Sequence, residues 1–384
     1  MKSLTHQCPT KSPRRLRRWG LYLLLLTAVA AVSGCQTIKF YAQVIKGQCQ
    51  LVTHQQAIAK LEAYTNTPPA LKARFEMLDQ LRAFAKADLK LPVDGHYQKY
   101  ADVHRPYVVW NVEAAPEFSM EPKTWWYPLI GSQVYRGYFS ERAALDYGER
   151  LKRQGLDVSV GGSQAYSTLG WFKDPVLNTF IFDSDPDLAE LIFHELGHQR
   201  LFVSGDTDFN EAFATTVGQE GARRWLRAKG DNAAYEKYQT ELRHTAQFAR
   251  LIMDTRLRLE SVYGDQRAED GTVKATSKNK QVPAEQLRQE KQRILTDLTQ
   301  QYRGLKIEWN TTEYDAWFSH EINNARLNSV AAYYDLVPGF EHLLALNDGD
   351  MEKFYSAAER LSKLPKQARR QQLTPGARSS SSAR

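Results

Sequence analysis

The chain has 384 residues, enough to bury one large core, and its 42% hydrophobic, 25% charged and 11% aromatic content is that of an ordinary globular protein. The net charge of +7 is a terminal effect: residues 1–35 and 363–384 each carry six Lys/Arg and no acid, and without those twelve the remaining 39 basic residues face 44 acidic ones. A mildly acidic fold lacks the clustered basic footprint of a nucleic-acid binder, so no nucleic-acid partner is expected.

At the N-terminus, a basic segment from Lys11 to Arg18 precedes an apolar run, Leu21 to Ala31. The run has the length of a signal-peptide core and is too short to span a bilayer comfortably. Val32-Ser33-Gly34-Cys35 follows and resembles the bacterial lipobox. That resemblance implies that residues 1–34 are a lipoprotein signal peptide and that Cys35 is acylated. By analogy with lipoprotein sorting, Gln36 implies an outer-membrane anchor facing the periplasm. An ordinary signal peptide or a signal anchor with an incidental Cys is the alternative. With Cys8 removed and Cys35 acylated, only Cys49 remains, so the mature chain has no internal disulfide and any metal must be held by His and carboxylates.

Residues 39–64 and 68–89 read as two helices, with Leu51, Ile58 and Leu61, then Leu71, Phe75, Leu78 and Leu81, at helical spacing. Pro68-Pro69 separates them. Residues 105–183 are richer in β-formers: Tyr107 to Val112, Gln133 to Phe139, Val158 to Val160 and Thr179 to Phe182 read as strands, and 140–154 as a helix. From 184 to 364 the pattern is helical. Asp185 is placed to cap a helix with Pro186 at its first position, ending near 202. Further helices are expected from about 208, at 231–263, 284–304, 312–336 and 350–362, with a polar loop or mobile insertion at 264–283. The tail, 365–384, is basic and Ser-rich and is expected to be disordered. No internal repeat is present. The fold class expected is α+β and mostly helical, with a small mixed or antiparallel sheet packed against a zincin-like helical core.

The residues with chemistry cluster between 188 and 216. In His194-Glu195-Leu196-Gly197-His198 the two imidazoles are four residues apart and share a helix face, so both can bind one ion. Glu195 adjoins the first of them, where its carboxylate reaches a metal-bound water. A catalytic zinc needs a third protein ligand and an open position. Glu211, in Asn210-Glu211-Ala212-Phe213-Ala214, supplies it, although Asp208 to Glu211 has capping-box spacing, and Asp206 and Asp208 are rival ligands.

His-Glu-x-x-His followed on the next helix by Asn-Glu-Ala-Phe-Ala resembles the gluzincin metallopeptidases, with two departures. Only about a dozen residues separate His198 from Glu211, which demands a short inter-helix loop, and Thr215 stands where an acidic residue supports the histidines in thermolysin-like members. The mature chain also resembles a bacterial family of zinc-type lipoproteins described as putative aminopeptidases. That likeness rests on the lipobox, Tyr135 to Phe139, Leu169 to Pro175, the His-Glu and Asn-Glu core, and Asn323 to Leu327. It implies one Zn2+ per chain held by His194, His198 and Glu211, Glu195 as general base, and a peptide substrate in the cell envelope, with the membrane contacted through the lipid. It also implies a Tyr or His from a later helix for the oxyanion. Tyr333, Tyr334 and His320 are the candidates and Tyr334 is favoured. Arg326 is a candidate for holding a substrate carboxylate or carbonyl, with a surface or interhelical salt bridge as the favoured alternative. The competing functions are a zinc endopeptidase on envelope proteins and a non-catalytic lipoprotein with a structural metal.

Overall fold

The principal scaffold is a helical hairpin, α5 (Asp185–Arg200) and α6 (Thr207–Lys229), joined by residues 201–206. The computed structural model describes residues 37–127, 131–165, 173–276 and 282–374. The signal segment with Cys35, Leu169 to Phe172 of the quoted motif, and residues 375–384 lie outside the described residues. No helix among the described residues is long and apolar enough to cross a membrane. Helix α1, residues 37–53, belongs with a separate compact unit ending at Val52, and the rest of the fold lies in Thr53–Arg384.

That larger unit begins with β1 (Gln56–Ala57), α2 (Ile58–Ala63) and α3 (Pro69–Ala87). Strand β2 (Lys99–Ala101) pairs antiparallel with β1 and parallel with β8 (Val176–Leu177). The main sheet is antiparallel, in the order β6 (Arg136–Tyr138), β3 (Val109–Pro116), β7 (Leu156–Ser163), and β4 (Trp125–Tyr127) with β5 (Gly131–Gln133) forms a hairpin. Helix α4 (Glu141–Lys152), capped by Ser140, packs on that sheet with Gly148 against Val158 and Val160. Helix α10 (Asn324–Tyr334) packs against β3 and β7 and also against α6, so it links sheet and hairpin.

Asn323 and Asn324 explain the sheet side of that link. Asn323 caps α10 by accepting from Arg326 N (3.0 Å) and donates to Val158 O of β7 (3.0 Å). Asn324 is fully buried, and its amide donates to the carbonyls of Pro116, Glu117 and Ser119 at 2.9–3.1 Å. These bonds use the hydrogen-bonding capacity of buried side-chain amides on backbone carbonyls, as burial requires.

Beyond the hairpin, α7 (Asn232–Tyr263) and α8 (Ala284–Trp309) bury Phe248, Ile252, Leu259 and Leu298 in one cluster. The region 312–336 is not one helix: α9 (Asp315–Phe318) and α10 are separate, and α11 (Val337–Ala345) follows before α12 (Met351–Ser362). The insertion carries a small hairpin, β9 (Gln266–Arg267) with β10 (Val273–Lys274). Residues 277–281 lie outside the described residues.

Three other expectations are corrected. Thr179 to Phe182 is a hydrogen-bonded turn, not a strand: Phe180 N and Ile181 N both bond to Leu177 O, and Arg74 of α3 clamps the turn through Ile181 O (2.6 Å) and Asp183 O (2.7 Å). Ser184, not Asp185, caps α5, its hydroxyl accepting from Asp187 N. The expected disorder of 365–384 fails for its first part, because Lys366–Leu373 forms α13, in which Arg369 and Leu373 are buried.

Close approach of α5 and α6 is set by glycines. A β-carbon at Gly218 would lie 2.7 Å from Glu190 O and 3.1 Å from His194 Cβ, and one at Gly197 would lie 3.3 Å from Ala214 Cα. Phe213, on the other side of α6, stacks on Phe354 of α12 (centroids 5.6 Å apart) and meets Phe340 of α11. The hairpin therefore cannot relax by moving outward. Gly218→Ala is expected to cost about 1–3 kcal/mol through this overpacking. Chemical denaturation would register it as a lower midpoint at unchanged m, and an unchanged midpoint would show that the helices are not in tight contact.

Candidate metal centre

His194 and His198 project from successive turns of α5, and Glu211 meets them from α6. The three donor atoms form a nearly equilateral triangle: His194 Nε2 to His198 Nε2 is 3.1 Å, and Glu211 Oε2 is 3.5 Å from each. A tetrahedral zinc with bonds of about 2.0–2.2 Å requires donor separations of about 3.3–3.6 Å. The triangle is thus one face of such a tetrahedron, and the residues present fit the ion. All three side chains are largely shielded, at 14%, 8% and 12% exposure. They are the only group of three metal-capable donors found among the described residues.

The electrostatics match a site built for a cation. Burial alone would push Glu211 up, but His198 and His194 outweigh it and hold the carboxylate well below its usual range. Burial alone would push His198 down, and Glu211, followed by Glu195 and Asp174, raises it instead. Burial raises Glu195, the two imidazoles pull it back, and Glu211 and Asp174 add to the rise. Nδ1 of His198 is buried without a hydrogen-bond partner.

The short spacing between His198 and Glu211 is explained by Asn210. Its buried amide closes the inter-helix loop on both sides, donating to Val203 O (2.8 Å) and accepting from Val203 N (2.7 Å). The rival acids are engaged elsewhere. Asp206 accepts from Arg369 and Asp208 faces Arg370. The helix starts at Thr207, so Asp208 and Glu211 both lie inside α6 and make no capping box.

The favoured tyrosine is corrected. Tyr334 turns into the cluster formed by Phe248, Leu298 and Leu327, and lines a cavity of about 440 Å³ away from the triad. One residue is about 100° of helix, and Tyr333 occupies the other side. Its ring stacks on His194 (centroids 6.5 Å apart, 27° between planes). Glu211 foremost, then its surroundings, Tyr135, Glu113 and Glu195, push its phenol well above the ordinary value. His320 is exposed on the turn before α10, with Nδ1 at 2.8 Å from Ala316 O. Arg326 donates to Trp317 O (3.1 Å) and lies over the Trp317 ring.

Two groups near the site carried no role in the sequence. Glu113, on β3 opposite Arg326 and Ser329, is raised to about 8 by burial, which those two neighbours only partly offset. Asp174 is buried, bonded by Gln199 Nε2 (3.2 Å) and close to His96 Nδ1 (3.5 Å). Beside it Tyr97, also buried, donates its backbone N–H to Asp174 O (2.8 Å) from a left-handed conformation at φ +57°. A left-handed aromatic residue is uncommon and is held only by its surroundings.

No curated protein and no solved structure matches this chain. The model of the family described as "putative aminopeptidase" matches residues 39–373, a span running from α1 to the end of α13 and including every residue of the triad. The chain belongs to that family.

Proposed function

We propose that the protein is a zinc-dependent aminopeptidase in which His194, His198 and Glu211 hold the ion, and that it is anchored in the bacterial cell envelope through a lipid on Cys35. The observation that carries this reading is the donor triangle of 3.1, 3.5 and 3.5 Å with Glu195 next to its first imidazole. A zincin-like arrangement of two helices follows from it. Zinc, when bound, supplies Lewis acidity and lowers the pKa of a water toward neutrality.

Glu195 takes the proton from the attacking water and passes it to the leaving amine. Its placement in a shielded site keeps the carboxylate basic enough to do so. Tyr333, with its phenol held protonated, donates to the carbonyl oxygen as negative charge develops there. Tyr334 has no part in this step. An intact general base also argues against a purely structural metal, because a closed structural site uses four protein ligands and no base.

The purified protein is expected to hold one zinc per chain and to release N-terminal residues from peptides. Glu195→Gln should keep the zinc and lose about 10²–10⁴ in kcat. Loss of metal together with activity would assign Glu195 to folding instead. Tyr333→Phe is expected to lower kcat by about 10²–10³, with Tyr334→Phe changing stability rather than rate. The opposite pattern would return the role to Tyr334. A panel of free and N-acetylated peptides separates exo- from endopeptidase action, and equal cleavage of both would rule out an aminopeptidase. Cys35→Ser should release the protein from membranes, and unchanged partition would remove the lipid anchor from the account.

A further inference from the structure

Two arginines of α13 reach the helices that complete the metal centre. They do different things. Arg369 is buried, and its Nε and Nη2 both meet Asp206 Oδ2, at 3.0 and 2.7 Å, just before α6 begins. Its Nη1 donates to Ser362 O and Leu364 O, so it secures the end of its own segment as well. Arg370 spans two elements. One guanidinium nitrogen bonds to Asp335, the C-cap of α10, and the other lies 3.8 Å from Asp208 of α6.

Both contact points are close to the chemistry. Asp208 precedes Glu211 by three residues on α6, and residues three apart are neighbours on a helix surface. Asp335 follows Tyr333 by two residues. Arg370 is therefore a strut between the helix bearing the carboxylate ligand and the helix bearing the phenol. The strut is roofed by the β9–β10 turn. Gly271 sits directly over the guanidinium, where any β-carbon would run into it, and its φ of +79° suits glycine. With 12% of its side chain exposed, Arg370 is approached from three other elements: α6, α10 and the β9–β10 turn.

We propose that Arg370 is a positioning residue of the metal centre, which sets the distance between Glu211 and Tyr333 by bridging their two helices. The inference rests on the proposed roles of those two residues. Its physical basis is that a planar guanidinium can hold two carboxylates in fixed directions, whereas the point charge of lysine cannot. Misplacement of a reacting group by about 1 Å can cost about 10²-fold in rate. Loss of stability alone would not establish the role, since breaking any shielded ion pair destabilises a fold.

The test uses the full chain carrying Arg370→Lys, Tyr333→Phe or both. Zinc affinity is measured by chelator competition, and kcat and KM on the free-amine peptide that the wild-type protein cleaves fastest. Arg370→Lys is expected to lower zinc affinity about tenfold and kcat about 10–100-fold, the scale of losses at groups that orient metal ligands, with KM nearly unchanged. The double variant should be no slower than Tyr333→Phe alone, because both changes remove the same alignment. Independent, multiplying losses in kcat would overturn the proposal. If Tyr333→Phe proves fully active, or the wild-type protein cleaves no peptide, the proposed catalytic reading fails and zinc affinity decides. A tenfold loss in Arg370→Lys then retains the strut as a support for Glu211, and wild-type affinity overturns it. Gly271→Ala, which displaces the guanidinium without removing its charge, should reproduce the Arg370→Lys pattern and provides the readout if Arg370→Lys does not fold. A wild-type zinc affinity and rate in Gly271→Ala would also count against the strut.

Discussion

The site depends on how closely α5 and α6 can approach. Two imidazoles four residues apart are easily provided by one helix. The third donor must come from another backbone and arrive within about 3.5 Å of both, which is the edge of a tetrahedral zinc site. Gly197 and Gly218 remove the β-carbons that would hold the helices apart, and Ala214 keeps the facing surface small. Asn210 closes the loop that joins them, immediately before Glu211. The Asn-Glu pair thus combines two tasks: the asparagine sets the turn and the glutamate uses it.

The remaining structure holds that hairpin in place from three directions. Phe340, Phe354 and Tyr355 pack behind Phe213. Arg74 ties the turn before α5 to α3, with a further bond to Asp185 at 2.7 Å. Asn323 and Asn324 fasten α10 to the sheet, which sets where Tyr333 meets His194. Most of these supports are side-chain to backbone bonds with buried partners, whose loss leaves an unpaired carbonyl or amide and is correspondingly costly.

Much of this was legible in the sequence, and the misses have local causes. Helices α5 to α8 and the pairing of His194 with His198 follow from helical spacing alone, whereas Glu211 was marked by its Asn-Glu setting on the next helix and the breaks inside 39–64 and 312–336 were not marked. Thr179 to Phe182 misleads because its β-formers are apolar for burial, and Phe180 and Ile181 are buried from a turn. The tail misleads because Arg369 and Arg370 read as solvated charge, yet their partners Asp206, Asp208 and Asp335 lie more than 30 residues away along the chain. The choice between Tyr333 and Tyr334 was open to a closer reading. Leu327, Val330 and Tyr334 form an apolar stripe at helical spacing, which consigns Tyr334 to the core and leaves Tyr333 facing the site. Asp174 lies inside the Leu169–Pro175 motif but carried no role there, and nothing in the sequence marks Glu113, because the places of both come from loops and strands that converge only in the fold.

X-ray absorption at the zinc edge of the metal-loaded protein tests the central claim most directly. Two imidazoles and light oxygen donors at about 2.0–2.2 Å, with no sulfur, are the shell that His194, His198 and Glu211 would provide with one open corner. A shell containing Cys sulfur, or one of four imidazoles, would contradict the account.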